Sequence, residues 1–386
     1  VRILAFNYEY PPLGGGGGVV FQAMYDELAK RHAVTIVTSG HGELPRIETR
    51  GTQEIHRVPV LWRDQLATAS FASMLSYVPA SWRCGKRLLT EDRFDLINTH
   101  FAVPTGPAPQ VLAEYFRVPN VLSVHGGDIF DPSKRSSPHR LPLVRAVVRR
   151  LIERATRVVA QSTDTRDNAR AYYRAERDID IIPLGIKTPP EPPRNRSALD
   201  IAPDRFVMIT VGRIVARKGL DALLEVVRRL DDPHDLLIVV GRGPLLPELQ
   251  ERARALGVAE KVRFTGRISD DEKWRLLAVA DVYVSTALHE GFGLVFLEGM
   301  YAGLPVVCHD AGGQKDFLEN GRTGGLVPLG DLDGFADAIR RLKADPALRA
   351  RCGEFNRARV SEYTIERCAN RYEALFEEVV RAKRVG

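Results

Sequence analysis

Cysteine is scarce in this 386-residue chain: Cys84, Cys308, Cys352 and Cys368 are the only four, and no two stand at C-x-x-C spacing. That excludes a disulfide framework and a cysteine zinc site, and points to small buried thiols in a reducing compartment. No apolar run approaches the ~20 residues that a membrane-spanning helix needs, which excludes an integral membrane protein. Net charge is only +6 with 44% apolar residues, so general disorder is excluded as well. Val1-Arg2-Ile3-Leu4 runs straight into a strand-like segment with no signal-peptide layout, and a cytoplasmic protein is expected. No short-period repeat occurs. What remains is a chain long enough for two or three domains with ample apolar residues for packed cores.

The positive charge is unevenly placed. Residues 1–187 hold 25 Lys+Arg against 19 Asp+Glu, whereas residues 188–386 hold 30 of each. The densest part is Arg140, Arg145, Arg149, Arg150, Arg154 and Arg157, along a helix-like segment. Such a run suits an anionic membrane surface, an acidic substrate or nucleic acid, and equally a solvated helix face in a chain with 45 Arg and 10 Lys. Peripheral contact with the inner face of an anionic membrane through Arg140–Arg157 is the expectation set against that plain alternative; nucleic acid is not expected as a partner.

Short apolar segments alternate with amphipathic ones from end to end. RILAF (2–6), VTIVT (34–38), DLINT (95–99), VLSV (121–124) and RVVA (157–160) read as buried strands, with helix patterns at 19–31, 108–117 and 141–155. This alternation argues for a parallel sheet covered on both faces. After Ile182-Pro183-Leu184-Gly185-Ile186 comes TPPEPPRNRSALDIAPD, too rich in proline for a helix or central strand, which reads as a linker. The pattern then restarts with FVMITV (206–211), LLIVV (236–240), VRFT (262–265), VYVS (282–285) and PVVC (305–308), and helices at 220–230, 244–256, 270–280 and 294–303. The tail from 333 to 383 reads as helix, broken near Asp345-Pro346 and Ser361–Thr364. The expected fold class is α/β: two doubly wound Rossmann-like domains, 1–187 and 188–363, with the helix at about 364–386 packing back on the first. In that topology ligands bind at the carboxyl ends of the strands, and an interdomain cleft is the expected active site.

Four motifs carry the chemistry. Five glycines, Gly14 to Gly18, precede the helix VVFQAMYDELAKR, placing backbone N–H groups where a helix dipole favours an anion. A dehydrogenase-type glycine fingerprint is the competing reading, but seven residues separate strand from glycines, and no acidic residue closes VTIVTSG to hold a ribose. Second, His125-Gly126-Gly127-Asp128 follows VLSV directly. A histidine there could donate to a sugar hydroxyl or share a proton near pH 7, and His100 at the end of DLINT is a weaker version of the same signal. Third, Arg213 and Lys218 bracket the loop GRIVARKG before a helix, two cations suited to a pyrophosphate without a metal. Fourth, seven residues beginning Gly-Phe-Gly-Leu, which offers N–H groups at a helix start, separate Glu290 from Glu298. A carboxylate such as Glu298 accepts two ribose hydroxyls well, while Glu290 lies on the side where a sugar would sit. Asp178-x-Asp180 and Asp331-x-Asp333 match a metal-binding pattern but read as strand-entry or helix-start acids, so no metal is expected.

The glycine loop, HGGD at 125–128, IPLGI at 182–186, GRIVARKG at 212–219, the paired glutamates and DAGGQKDFLENGRTGGLV at 310–327, in that order, resemble the retaining glycosyltransferases of the two-domain GT-B type, family 4. The resemblance covers nearly the whole chain. It implies that Arg213 and Lys218 neutralise a nucleotide-sugar diphosphate and that Glu298 binds the ribose. It also implies that the backbone of Phe292, Gly293, Leu294 and Val295 meets phosphate and sugar, that Glu290 holds donor-sugar hydroxyls, and that Arg267-Ile268 meets the base. His125 would lie beside the donor sugar, Gly16, Gly17 and Gly18 near the diphosphate and acceptor, and His100 and Asp128 on the acceptor side. Five glycines replace the two common in relatives, and Lys315 and Asp316 stand where Pro and Glu are common. The implied function is transfer of a hexose, UDP-linked rather than GDP-linked, to a hydroxyl of a small or lipid-linked acceptor shaped by 41–82 and 100–140. The nucleotide sugar is a substrate, and no cofactor is implied. The alternatives are a non-catalytic sugar-nucleotide or anionic-lipid binding protein, and an NAD-dependent oxidoreductase.

Overall fold

The computed structural model describes residues 1–63 and 70–385. Residues 64–69, inside the 41–82 region expected to shape the acceptor pocket, and Gly386 at the end of the expected C-terminal helix lie outside the described residues. In chain order the elements begin with β1 (Arg2–Asn7), α1 (Gly16–Leu28), β2 (Ala33–Ser39), β3 (Ile47–Arg50), β4 (Gln53–Val58) and α2 (Phe71–Glu91). There follow β5 (Leu96–His100), α3 (Pro107–Phe116), β6 (Asn120–Val124), α4 (Pro142–Arg154), β7 (Arg157–Ala160), α5 (Thr163–Tyr173) and β8 (Ile179–Ile181). The next set is β9 (Phe206–Val211), α6 (Leu220–Leu230), β10 (Asp235–Val240), α7 (Leu246–Ala255), β11 (Val262–Gly266), α8 (Asp270–Val279), β12 (Val282–Ser285) and α9 (Leu294–Tyr301). Last come β13 (Val306–His309), β14 (Gly324–Val327), α10 (Leu332–Ala344), α11 (Pro346–Val360) and α12 (Ile365–Val385). Two compact units divide the chain: Val1–Lys187 with Thr364–Gly386, and Thr188–Tyr363.

The first unit is built on an eight-stranded sheet in the order β3-β4-β2-β1-β5-β6-β7-β8, parallel except for the β3–β4 pair. Its central strands are buried along their whole length, as β5 and β6 show, because helices cover both faces of a parallel sheet. The order reverses between β1 and β5. The second unit carries a six-stranded parallel sheet, β11-β10-β9-β12-β13-β14, whose reversal falls between β9 and β12. Loops leaving the carboxyl ends at such reversals splay apart and leave room for ligands.

The strands at 47–58 and the long helix α2 carry weak sequence signals for physical reasons. β3 is a charged, largely exposed edge strand, a composition that discourages edge-to-edge pairing. Helix α2 contains Pro79 and Gly85, two residues that dilute a helical pattern. Helix α1 starts at Gly16, three residues before the expected 19, so three of the five glycines are helical. In the arginine-rich run, Arg149 pairs with Glu153 at 2.6 Å, Arg154 with Glu114 at 3.0 Å, and Arg157 with Asp180 at 2.9 Å and Glu378 at 2.6 Å. All four cysteines are free thiols, and Cys308, Cys352 and Cys368 are buried.

Candidate functional site

In the second unit the candidate residues gather at the β9/β12 reversal. β9 ends at Val211, and the loop Gly212–Gly219 leads into α6; β12 ends at Ser285, and the loop through Glu290 leads into α9. The two loops are stitched together. Leu288 N–H donates to Arg217 O at 2.8 Å, and the Thr286 hydroxyl donates to Gly219 O at 2.8 Å. Gly219 has φ +58, and a Cβ there would stand 2.3 Å from Thr286 O, so only glycine permits this approach.

Glu290 is buried at this seam. Lys218 Nζ donates to its Oε1 at 2.5 Å, and Arg217 Nη1 lies 3.4 Å from its Oε2 and 3.2 Å from His289 O. Burial works against the carboxylate charge, but Lys218 and Arg217 outweigh it and hold the group below the usual carboxylate range. The seam therefore carries two cations against one carboxylate, with Arg213 exposed on the same loop. Arg217 escaped the sequence reading because, between Arg213 and Lys218, nothing in the pattern told which of three basic residues turns inward.

Gly293 is the N-cap of α9 with φ +95, so Leu294 and Val295 form the first helical turn and present its N–H groups. The Phe292 side chain faces the core, 5.2 Å from Phe317 and 6.2 Å from Tyr363 between ring centroids, which leaves only its backbone for a ligand. Glu298 lies within α9, and its Oε1 accepts from Lys273 Nζ of α8 at 2.7 Å. Arg267, exposed, and Ile268, half-buried, form the turn between β11 and α8, two residues ahead of the helix that carries Lys273. Lys273 was also missed, since 25 residues separate it from Glu298 in sequence.

In the first unit a second cluster forms around the β1/β5 reversal. Gly15 N–H donates to Glu9 Oε2 at 3.0 Å, so a carboxylate already occupies the start of the glycine segment. Only Gly14 of the five has a positive φ, +93; Gly16, Gly17 and Gly18 are helical, and a Cβ on Gly17 would stand 2.7 Å from the Phe101 ring. These glycines serve close packing more than an open anion cradle, which alters the expected reason for their presence. Phe101 itself has φ +68 and covers His125 with ring centroids 4.4 Å apart.

His125 and His100 are in direct contact. Asn98 Nδ2 donates to Val121 O at 2.8 Å, so its Oδ1 is the acceptor for Tyr25 O–H at 2.6 Å and His100 Nε2–H at 2.7 Å. His100 Nδ1 is then the bare nitrogen and accepts from His125 Nε2–H at 2.9 Å. The other ring nitrogen, His125 Nδ1, lies 3.2 Å from Gln161 Oε1. Burial pulls His125 down to about 4, and burial together with His125 holds His100 well below the usual histidine range. Sharing a proton near pH 7, expected of His125, is therefore not available in this state. Asp128 accepts from Ala102 N–H at 2.6 Å and His125 N–H at 2.8 Å; burial raises it to about 6 although both donors oppose the shift. Asn98, Phe101 and Gln161 complete the cluster; Asn98 and Phe101 flank His100 in sequence, whereas tertiary packing brings His125 and Gln161 to them.

Residues 192–359 match the family model for glycosyl transferases group 1, and residues 14–188 match that for glycosyltransferase family 4. The chain is 32% identical over 281 residues to a GDP-mannose-dependent alpha-(1-6)-phosphatidylinositol monomannoside mannosyltransferase of Mycobacterium tuberculosis, covering 67% of this chain and 69% of that protein. The protein of the same name from Mycolicibacterium smegmatis is 29% identical over 371 residues, 91% of each chain. Among solved structures, sucrose-phosphate synthase from Thermosynechococcus elongatus shares the fold at a TM-score of 0.86, with 22% identity over 99% of both chains. With two Rossmann-like units of the GT-B type and sequence relatives at this level, the chain belongs to glycosyltransferase family 4.

Proposed function

We propose that this glycosyltransferase moves a hexose from a nucleoside-diphosphate sugar to a hydroxyl acceptor with retention of anomeric configuration. The observation that carries the reading is the seam at the β9/β12 reversal, where Lys218 and Arg217 surround buried Glu290 and the α9 N-terminus opens beside them. On this reading Lys218 and Arg213 take the diphosphate, and Arg217 keeps Glu290 oriented toward the sugar hydroxyls. The N–H groups of Gly293 to Val295 meet phosphate and sugar, Glu298 accepts from the ribose, and the turn at Arg267-Ile268 meets the base. Gly16–Gly18, His100, His125 and Asp128 belong to the acceptor side and the neighbourhood of the donor sugar, with His125 acting as a fixed neutral dipole.

The chemistry follows from charge. The anomeric C–O bond to the β-phosphate breaks, its electron pair staying on the phosphate oxygen. Preset cations and N–H dipoles stabilise that developing charge more in the transition state than in the ground state. The acceptor oxygen forms the new bond on the same face, and its proton passes to the departing phosphate oxygen. The products are the glycoside and the nucleoside diphosphate. No metal enters, since side-chain cations neutralise the diphosphate, and turnover is expected to be unchanged by EDTA.

UDP-hexoses and GDP-mannose are the donors to compare. The first is the sequence expectation, and the printed names of the mycobacterial relatives support the second. Those names also support a lipid-linked acceptor; peripheral membrane contact would run through Arg140–Arg157, where Arg140, Arg145, Arg149 and Arg150 are exposed. Thermal-shift screening with UDP, GDP and their sugars should raise Tm for one base series, because a ligand that binds only the native state stabilises it. K218A and E298A should each weaken that binding at least tenfold, about 1.4 kcal/mol. No shift with any nucleotide, or unchanged binding in both variants, overturns the assignment.

A further inference from the structure

The two oxygens of Glu298 differ in their surroundings. Oε1 is clamped by Lys273 Nζ at 2.7 Å, while Oε2 is enclosed by protein and has no hydrogen-bond partner among the described residues. An enclosed carboxylate oxygen without a donor bears its desolvation cost uncompensated, an arrangement that persists where a ligand supplies the donor. Lys273 is itself pinned. Asp270 Oδ1 lies 3.2 Å from its ammonium, the ammonium sits 5.1 Å from the centre of the Trp274 ring, and the Ser269–Glu272 capping box fixes the start of α8 beneath it. Burial alone would lower its pKa; the charges of Glu298 and Asp270 outweigh that and raise it, so it is an ammonium at any working pH.

From this geometry we infer that Lys273 is a positioning residue for the nucleotide: it holds Oε1 so that Oε2 is the oxygen left to accept from a ribose hydroxyl. The inference rests on the ribose reading of Glu298 above. The torsion that turns a glutamate carboxylate is broad, so an unclamped Glu298 would sample a range of carboxylate tilts and hold the ribose less well. Lys273 reaches this place because α8 follows directly on the Arg267-Ile268 turn, which ties the ribose acceptor to the segment expected to meet the base.

The test is calorimetric and needs no acceptor. Binding of UDP and GDP is compared with that of their 2′,3′-dideoxy forms in wild type, E298A, K273M and K273R. Wild type is expected to favour the ribose form of the bound base at least tenfold, E298A to lose that preference, and K273M to lose most of it by weakening only the ribose form. K273R, which keeps the charge with altered reach, should recover part of it. K273M leaves Glu298 buried without its cation, so the double variant K273M/E298Q is measured beside it as the form expected to stay folded. If wild type does not discriminate, the ribose role of Glu298 fails and the inference with it. Should wild type discriminate and K273M keep the full preference, the positioning role alone is overturned. Equal weakening of both forms in K273M would place Lys273 on the base or phosphate, and likewise overturns it.

Discussion

At the scale of single residues, two buried electrostatic arrangements make opposite demands. Glu290 is ionised because Lys218 and Arg217 surround it, and removing one partner leaves buried charge uncompensated. E290A should therefore cost about 3 kcal/mol of unfolding free energy, with K218M/E290Q recovering much of that stability while nucleotide binding stays lost. Chemical denaturation beside calorimetric titration separates the two effects. Since the folded pKa of Glu290 is depressed, its contribution is present above the unfolded value and fades as pH falls through the folded one. His125 is held neutral down to about 4, so the unfolded chain takes up its proton first and stability is lost as pH falls from about 6.5 to 4, roughly 3 kcal/mol. Asp128, raised to about 6, works the other way: between pH 6 and 3.8 the folded form holds the extra proton and stability is gained. D128N removes that offset. Its urea midpoint should drop more steeply than wild type's between pH 6.5 and 4, and parallel curves would refute the coupling.

At the scale of elements, the site depends on a few close backbone approaches. Gly219 lets α6 start against Thr286 O and so carries Lys218 to Glu290. G219A meets both a positive φ and a backbone clash, and should cost more than about 2 kcal/mol while weakening nucleotide binding with it. Thermal unfolding with and without nucleotide measures both. The helices around the site were readable where their start signals are local: Asp331 caps α10 by accepting from Gly334 N–H, and Asp345 caps α11 through Leu348 N–H. Asp331 thus serves as a helix-start acid. Helix α1 was misplaced because glycine carries no helical signal of its own, and close packing against Phe101 decides its conformation.

At the scale of the whole molecule, the chain leaves the second unit at Tyr363 and adds α12 to the first. Tyr372, Phe376, Leu375 and Val379 of that helix are buried, and each large apolar side chain contributes about 1.5–3 kcal/mol. A chain ending at Tyr363 should lose the cooperative unfolding of the first unit and keep that of the second, which retains its own core. Calorimetry of the truncated and full chains decides this. The alternation of apolar segments, the linker prolines and the ordered motifs are properties of neighbouring residues, and they determined the α/β class, most of the buried strands and the family. Which basic residue turns toward Glu290, which lysine holds Glu298, and how Tyr25 and Val121 orient the Asn98 amide beside His100 are contacts between residues tens of positions apart. Only the folded sheets bring those groups within hydrogen-bond reach, because strand order, and not chain order, decides which loops become neighbours.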